Sequence, residues 1–169
     1  IIKVERASKM KRLDYIYWGS PVAAQSFINF SPNTVASRFY RYNEEFDSFH
    51  SISNLNDSMI AGEGYAIRAP NNQNATTPNT WTGIFVGQPN NGEITFPVTK
   101  HPDSPIDPNN SSSEIISRGK NMLSNPYPSN LDLEALTNGN LTTANGVYYF
   151  WTNTNDFVDN TQVPGNGQY

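Results

Sequence analysis

The stretch WTGIFVGQPNNGEITFPVT, residues 81–99, decides the fold class. Trp81, Gly83 and Phe85 alternate with Thr82, Ile84 and Val86, and Ile94, Phe96 and Val98 repeat that period beyond Pro89-Asn90-Asn91-Gly92. A period of two marks a strand with one buried face, and Asn-Gly supplies the positive φ angles of a tight hairpin turn. The pattern predicts a β-hairpin over 81–99. Working outward, Leu13, Tyr15 and Tyr17 alternate with Asp14, Ile16 and Trp18 in a first strand. Residues 39–42 and 46–49 flank Asn43 and two glutamates as a second hairpin would, residues 64–68 place Tyr65 and Ile67 on one face, and residues 147–151 (VYYFW) return to strand. Further Asn-Gly steps begin at Asn138, Asn145 and Asn166 and predict more turns. Only residues 131–136 suit a helix, with Ser129 or Asn130 as its cap and Asp132 and Glu134 in its first turn. The expected fold is all-β: a two-layer β-sandwich, jelly-roll-like, with one short helix near 130–136 and a closed barrel as the competing architecture.

Composition agrees. The chain has 169 residues, enough for one domain, of which 15% are charged, well below the roughly 25% of ordinary domains. Asn occurs 23 times, so amides carry the polar surface and long regular helices are disfavoured. Mean hydropathy is −0.59, and no apolar run approaches the roughly 18 residues of a membrane span. The net charge of −4 argues against general nucleic-acid binding, which needs a concentrated basic face. The charge is uneven: Lys3, Arg6, Lys9, Lys11 and Arg12 against Glu5 make the first twelve residues +4, leaving −8 for the rest. Residues 1–12 are read as a basic linker or edge strand and residues 13–169 as a single β-sandwich domain, incomplete at its C-terminus. No cysteine is present, which removes disulfides, thiolate metal sites and thiol nucleophiles.

Little of the sequence points to catalysis. His50 and His101 are the only imidazoles, and neither lies in a nucleophile or metal motif. Gly62-Glu63-Gly64 lacks the third glycine of a dinucleotide loop and reads as a turn before a strand. Glu44 and Glu45 are adjacent, so they do not converge as a glycosidase pair would, and they read as a solvated hairpin tip. No cofactor is expected. Calcium is the single candidate metal, through the oxygen donors Asp103, Asp107 and Asn109 in one loop and Asn155, Asp156, Asp159 and Asn160 in another. Against it, an EF-hand register from Asp107 places Ser112 at the glycine position and Arg118 at the bidentate glutamate. Arg38-Phe39-Tyr40-Arg41-Tyr42 interleaves bases with aromatics but reads as a half-buried strand. Asn125, Pro126, Tyr127, Pro128 and Ser129 form a rigid corner in which two prolines fix φ and Tyr127 anchors the turn in the core.

Several phrases occur in a fixed order: KRLDYIYWGSPVAAQ (11–25), MIAGEGYAIRAP (59–70), GIFVGQPNNGEITFPVT (83–99), NMLSNPYPSNLD (121–132) and GVYYFWTNT (146–154). The series resembles a region of large secreted proteins of gliding Bacteroidota exported by the type IX secretion system. There the phrases run "DYxYWSSPV", "GKGYIIRAP", "GxPNNGxIxxPVT", "NLIGNPYPSAID" and "GTxYFWTH". Ser124 stands here where that series has Gly, and Lys120 where an aromatic is common. The resemblance implies a non-catalytic module of a secreted or cell-surface, adhesin-like protein. Its implied partners are the outer-membrane type IX translocon that carries it as cargo and a surface polysaccharide. It also draws attention to Asp57-Ser58-Met59, which fits the Bacteroidota O-glycosylation pattern of exported proteins, with Ser58 as acceptor. The alternative function is a carbohydrate-binding module of a secreted hydrolase, with Trp18, Trp81 and Trp151 as the sugar-contacting aromatics.

Overall fold

The computed structural model describes residues 1–102, 104–105, 115–116, 118–140, 142–143 and 145–150. Two antiparallel sheets enclose the core of an all-β sandwich. The first pairs β1 (Ile2–Met10) with β6 (Asn79–Gly87) over nine residues, from Ile2 opposite Gly87 to Met10 opposite Asn79. The second has the order β2-β5-β3-β4, with β2 Tyr15–Trp18, β5 Tyr65–Arg68, β3 Phe39–Asn43 and β4 Ser48–Ser51. A two-residue ladder joins β7 (Ser104–Pro105) to β8 (Ile115–Ile116).

Alternation decides which side chains face inward. Ile2, Val4, Arg6, Ser8 and Met10 share one face of β1, opposite Phe85, Gly83 and Trp81 of β6. Trp18, Tyr65, Ile67 and Phe39 face them from the larger sheet. Between the sheets lies α1 (Phe27–Phe30), a single turn capped by Ser26, whose Phe27 packs on Tyr65 and whose Phe30 stacks on Phe85 at 4.5 Å. Gly83 leaves room for that ring: a Cβ there would come within 2.8 Å of Phe30.

Three sequence expectations need correction. The hairpin over 81–99 does not form, because β1 takes one edge of β6 along its full length. On the other edge the Gln25 side chain accepts from Val86 N at 3.0 Å, and Ala23 N donates to Gln88 O. Ile94, Phe96 and Val98 keep their alternate burial but enter no ladder, and Phe96 lies over Gly62 instead. Residues 147–150 are likewise not a strand, and Tyr149 and Phe150 are exposed. The helix is α2, Leu133–Gly139, two residues later than its apolar pattern suggests. Asp132, not Ser129 or Asn130, accepts from Glu134 N and Ala135 N, and Asn138-Gly139 closes this helix where a turn is expected. A carboxylate at this position also meets the positive end of the helix dipole.

Candidate functional site

Three of the quoted phrases, 11–25, 83–99 and 121–132, meet at one joint. Tyr127 donates its hydroxyl to Gly92 O at 2.7 Å, and Asn90 Nδ2 donates to Pro126 O at 2.9 Å and to Ser20 O at 3.3 Å. Arg6 reaches in from β1, donating to Tyr127 O at 3.1 Å and Gly19 O at 3.2 Å, with its guanidinium over the Phe85 ring. Asn125 braces the turn by accepting from Tyr127 N and donating to Ser129 O, while Pro126 is buried and Pro128 and Ser129 are exposed. Tyr127 is only half-buried, so it works as a hydrogen-bonded tie between segments and not as a core anchor.

At the same joint Gly19 faces Ser124. A Cβ on Gly19 would lie 1.9 Å from Ser124 Oγ and 2.1 Å from its Cβ. The resembled series carries Ser at the first position and Gly at the second. This chain has the reverse, and the space admits one side chain, not two.

Trp18 is buried at 6% exposure against Phe30, Trp81 and Phe85. Trp81 is half-buried, its ring 5.4 Å from Trp18 in edge-to-face contact, and Trp151 lies outside the described residues. Trp18 and Trp81 therefore pack together, Trp18 within the core and Trp81 against it. Ser58 is exposed, in a bridge to Ser26. The calcium candidates Asp103, Asp107, Asn109, Asn155, Asp156, Asp159 and Asn160 lie outside the described residues, among which no group of three His, Asp or Glu side chains converges as metal ligands would.

Glu44 is not a solvated tip. It is buried, and its carboxylate accepts from Thr99 Oγ1 (3.1 Å), His101 N (3.0 Å), His101 Nδ1 (2.6 Å) and Gly119 N (2.6 Å). Burial alone would raise its pKa, but the bonds from the His101 ring, the His101 and Gly119 N–H groups and the Thr99 hydroxyl outweigh burial and hold it below the ordinary carboxylate value. The turn tip thus clasps two distant segments. Glu45 remains exposed.

The outer face of the larger sheet gathers aromatics that lie far apart in the sequence. Tyr15 and Tyr17 of β2, Tyr40 and Tyr42 of β3 and Phe49 of β4 all project there around the small Ala66. Tyr15 and Tyr40 approach to 5.8 Å, and Tyr42 and Phe49 to 5.4 Å. Arg68 lies directly opposite Tyr15, and Arg38 Nη1 donates to Tyr40 Oη at 3.3 Å. Burial and then the neighbouring Tyr40 push the Tyr15 hydroxyl up to about 12, so it remains a proton donor at neutral pH. The signal was present in the spacing of Tyr15 and Tyr17 and of Tyr40 and Tyr42. That spacing does not reveal that β5 lies between β2 and β3 and brings the two pairs to one face.

The family model for a domain of unknown function, DUF8693, matches residues 1–169. The chain belongs to this family. No curated protein and no solved structure matches it. Among the described residues no helix is long and apolar enough to cross a membrane.

Proposed function

We propose that this domain is a non-catalytic module of a large secreted or cell-surface protein, adhesin-like, carried across the outer membrane by the type IX secretion system. The observation that carries this reading is the joint between Arg6, Gly19, Asn90, Gly92 and residues 125–129, where the polar groups of the resembled phrases are spent on binding one segment to another. Groups held in this way serve a rigid frame and are not presented to a substrate. The exchanged Gly and Ser at 19 and 124 add support, since a chance likeness of short phrases gives no reason for two departures to meet in space. The charge-poor, amide-rich composition suits a displayed module. The alternative, a module that binds sugar through its tryptophans, is disfavoured by the burial of Trp18.

The test is localisation of the full-length parent protein in its own cells, by protease accessibility in a strain with and without the type IX translocon. Surface exposure lost with the translocon is the expected result. Exposure that persists without it, or a protein retained in the cytoplasm of both strains, refutes the proposal.

A further inference from the structure

At the outer face of the larger sheet like charges come together. Phe39 is opposite Ile67 and Tyr40 opposite Ala66, and Arg38, at the end of the 3-10 turn (Ala36–Arg38) that leads into β3, lies close enough to Arg68 for the two like charges to interact. Neighbouring like charges on a sheet disfavour the folded state, and an acid beside them would offset this. Here none does: among the described residues no carboxylate pairs with Arg12, Arg38 or Arg68. Arg12 adds a third positive charge: burial is the main cause that lowers the Arg68 pKa, and Arg38 and then Arg12 add to it, while Tyr15 opposes them. The nearest acid in sequence, Asp14, is buried and accepts from Lys11 N at 2.7 Å.

Arg68 is also incompletely satisfied. Its Nη2 donates to Asn71 Oδ1 at 3.4 Å, while its Nε is buried with no acceptor. A guanidinium offers five donors in a planar fork that matches a carboxylate or sulfate, and an unmet buried donor costs stability. Tyr15 and Tyr40 flank the fork with a hydroxyl and a ring each, the chemistry that holds a pyranose.

We propose that Arg12, Arg38 and Arg68, with Tyr15 and Tyr40, form an anion-recognition site for an acidic polysaccharide, whose carboxylate or sulfate groups supply the negative charge that no side chain among the described residues places beside them. Three arginines in a chain of net charge −4 suit spaced acidic groups on a sugar chain better than a continuous phosphate backbone, which calls for an extended basic track. The proposal deepens the display-module reading and rests on it only for the site's access to extracellular polymers. Binding by the purified protein is measured apart from localisation, so either idea can fail alone.

The experiment is affinity electrophoresis of the purified chain through gels containing polygalacturonate, dextran sulfate or neutral dextran, with oligo-dT as a competitor and salt raised from about 50 mM to about 300 mM. Retardation by one or both acidic polymers and not by dextran is expected, with the two acidic arms telling carboxylate from sulfate preference. Binding should weaken with salt, weaken at least tenfold in Arg38→Ala and in Arg12→Ala, and persist in Lys9→Ala, which removes a cation from the other sheet. Circular dichroism melting should show Arg38→Ala still folded, with at most the small loss expected for the Arg38–Tyr40 hydrogen bond. Retardation by none of the polymers or equally by dextran, an equal loss in Lys9→Ala, or oligo-dT displacing the acidic polymers at lower concentration than they bind, overturns it.

Discussion

Gly19 and Ser124 provide the sharpest test of how the two ends of the motif series fit. Gly19→Ser places a Cβ 1.9 Å from Ser124 Oγ and 2.1 Å from Ser124 Cβ, with Glu63 O at 3.1 Å. A rotamer change at Ser124 does not relieve this, because its own Cβ is part of the clash. The backbones must separate by more than 1 Å, roughly the gap between these distances and a normal contact. That movement strains Ser124 N to Gly62 O, Gly64 N to Met122 O and Ser124 Oγ to Glu63 O, each near 2.9 Å. Overpacking costs about 1–3 kcal/mol and each weakened bond up to about 1 kcal/mol, so Gly19→Ser should cost roughly 3–4 kcal/mol. Gly19 has no positive φ, so the penalty comes from space and not from backbone conformation.

Ser124→Gly alone loses one hydrogen bond and gains chain entropy when unfolded, about 1–2 kcal/mol. The double variant restores the arrangement of the resembled series and should lose no more than Ser124→Gly does. The coupling energy is then roughly 3 kcal/mol, far outside the additivity of independent sites. Urea unfolding followed by tryptophan fluorescence measures all four corners of the cycle, Trp18 being buried in the same sandwich. Single and double changes adding to within about 0.5 kcal/mol would refute both the packing argument and the pairing of the two departures.

Three other outcomes follow from the same contacts. Glu44→Gln should cost roughly 2–3 kcal/mol at neutral pH, since it removes a buried charge that accepts bonds from Thr99, His101 and Gly119. Because the folded pKa of Glu44 lies below its ordinary 4.5, the stabilisation is complete above that value and lost as pH falls through the folded one, so wild type and variant should converge in acid melts. Gly83→Ala should destabilise by about 1–3 kcal/mol in chemical unfolding, its Cβ meeting Phe30 at 2.8 Å and Trp18 at 3.2 Å. Tyr127→Phe should lose about 1 kcal/mol through the bond to Gly92 O, and Tyr127→Ala roughly 2 kcal/mol, below a full core truncation because the ring is half-buried.

Alternation made the all-β class legible, and the inward faces of β3 and β5 could be read directly, since Phe39, Tyr65 and Ile67 are buried as their period implies. Pairing was not legible. The segment from Ile94 to Val98 has a better turn and better period than many real strands, yet the basic N-terminal residues 2–10 hold the place beside β6. Local pattern reports which face of a segment is buried and says nothing about which distant segment will claim its edge. Glu44 illustrates the same limit: a glutamate in a turn is ordinarily solvated, and only the approach of Thr99, His101 and Gly119 from more than fifty residues away makes its carboxylate a clasp.

The arginine site shows why function was harder to read than fold. Arg12, Arg38 and Arg68 are far apart in sequence, and each has an innocent local explanation: the end of a basic run, the last residue of a 3-10 turn (Ala36–Arg38), and the end of a strand. Their shared property, positive charge without an acidic neighbour, exists only once β5 is laid between β2 and β3. A chain with an excess of acidic residues could have placed one of them at this position at little cost, and the exposed Glu45 and the Lys3–Glu5 pair at 2.5 Å show acids placed freely elsewhere. A like-charge pair that the rest of the sheet leaves uncorrected is therefore better explained by an acceptor from outside than by folding. That makes the binding of Arg38→Ala the informative measurement: the variant should stay folded, losing at most about 1 kcal/mol with the Arg38–Tyr40 hydrogen bond, while acidic-polymer binding falls at least tenfold, and a variant that binds as the wild type does refutes the site.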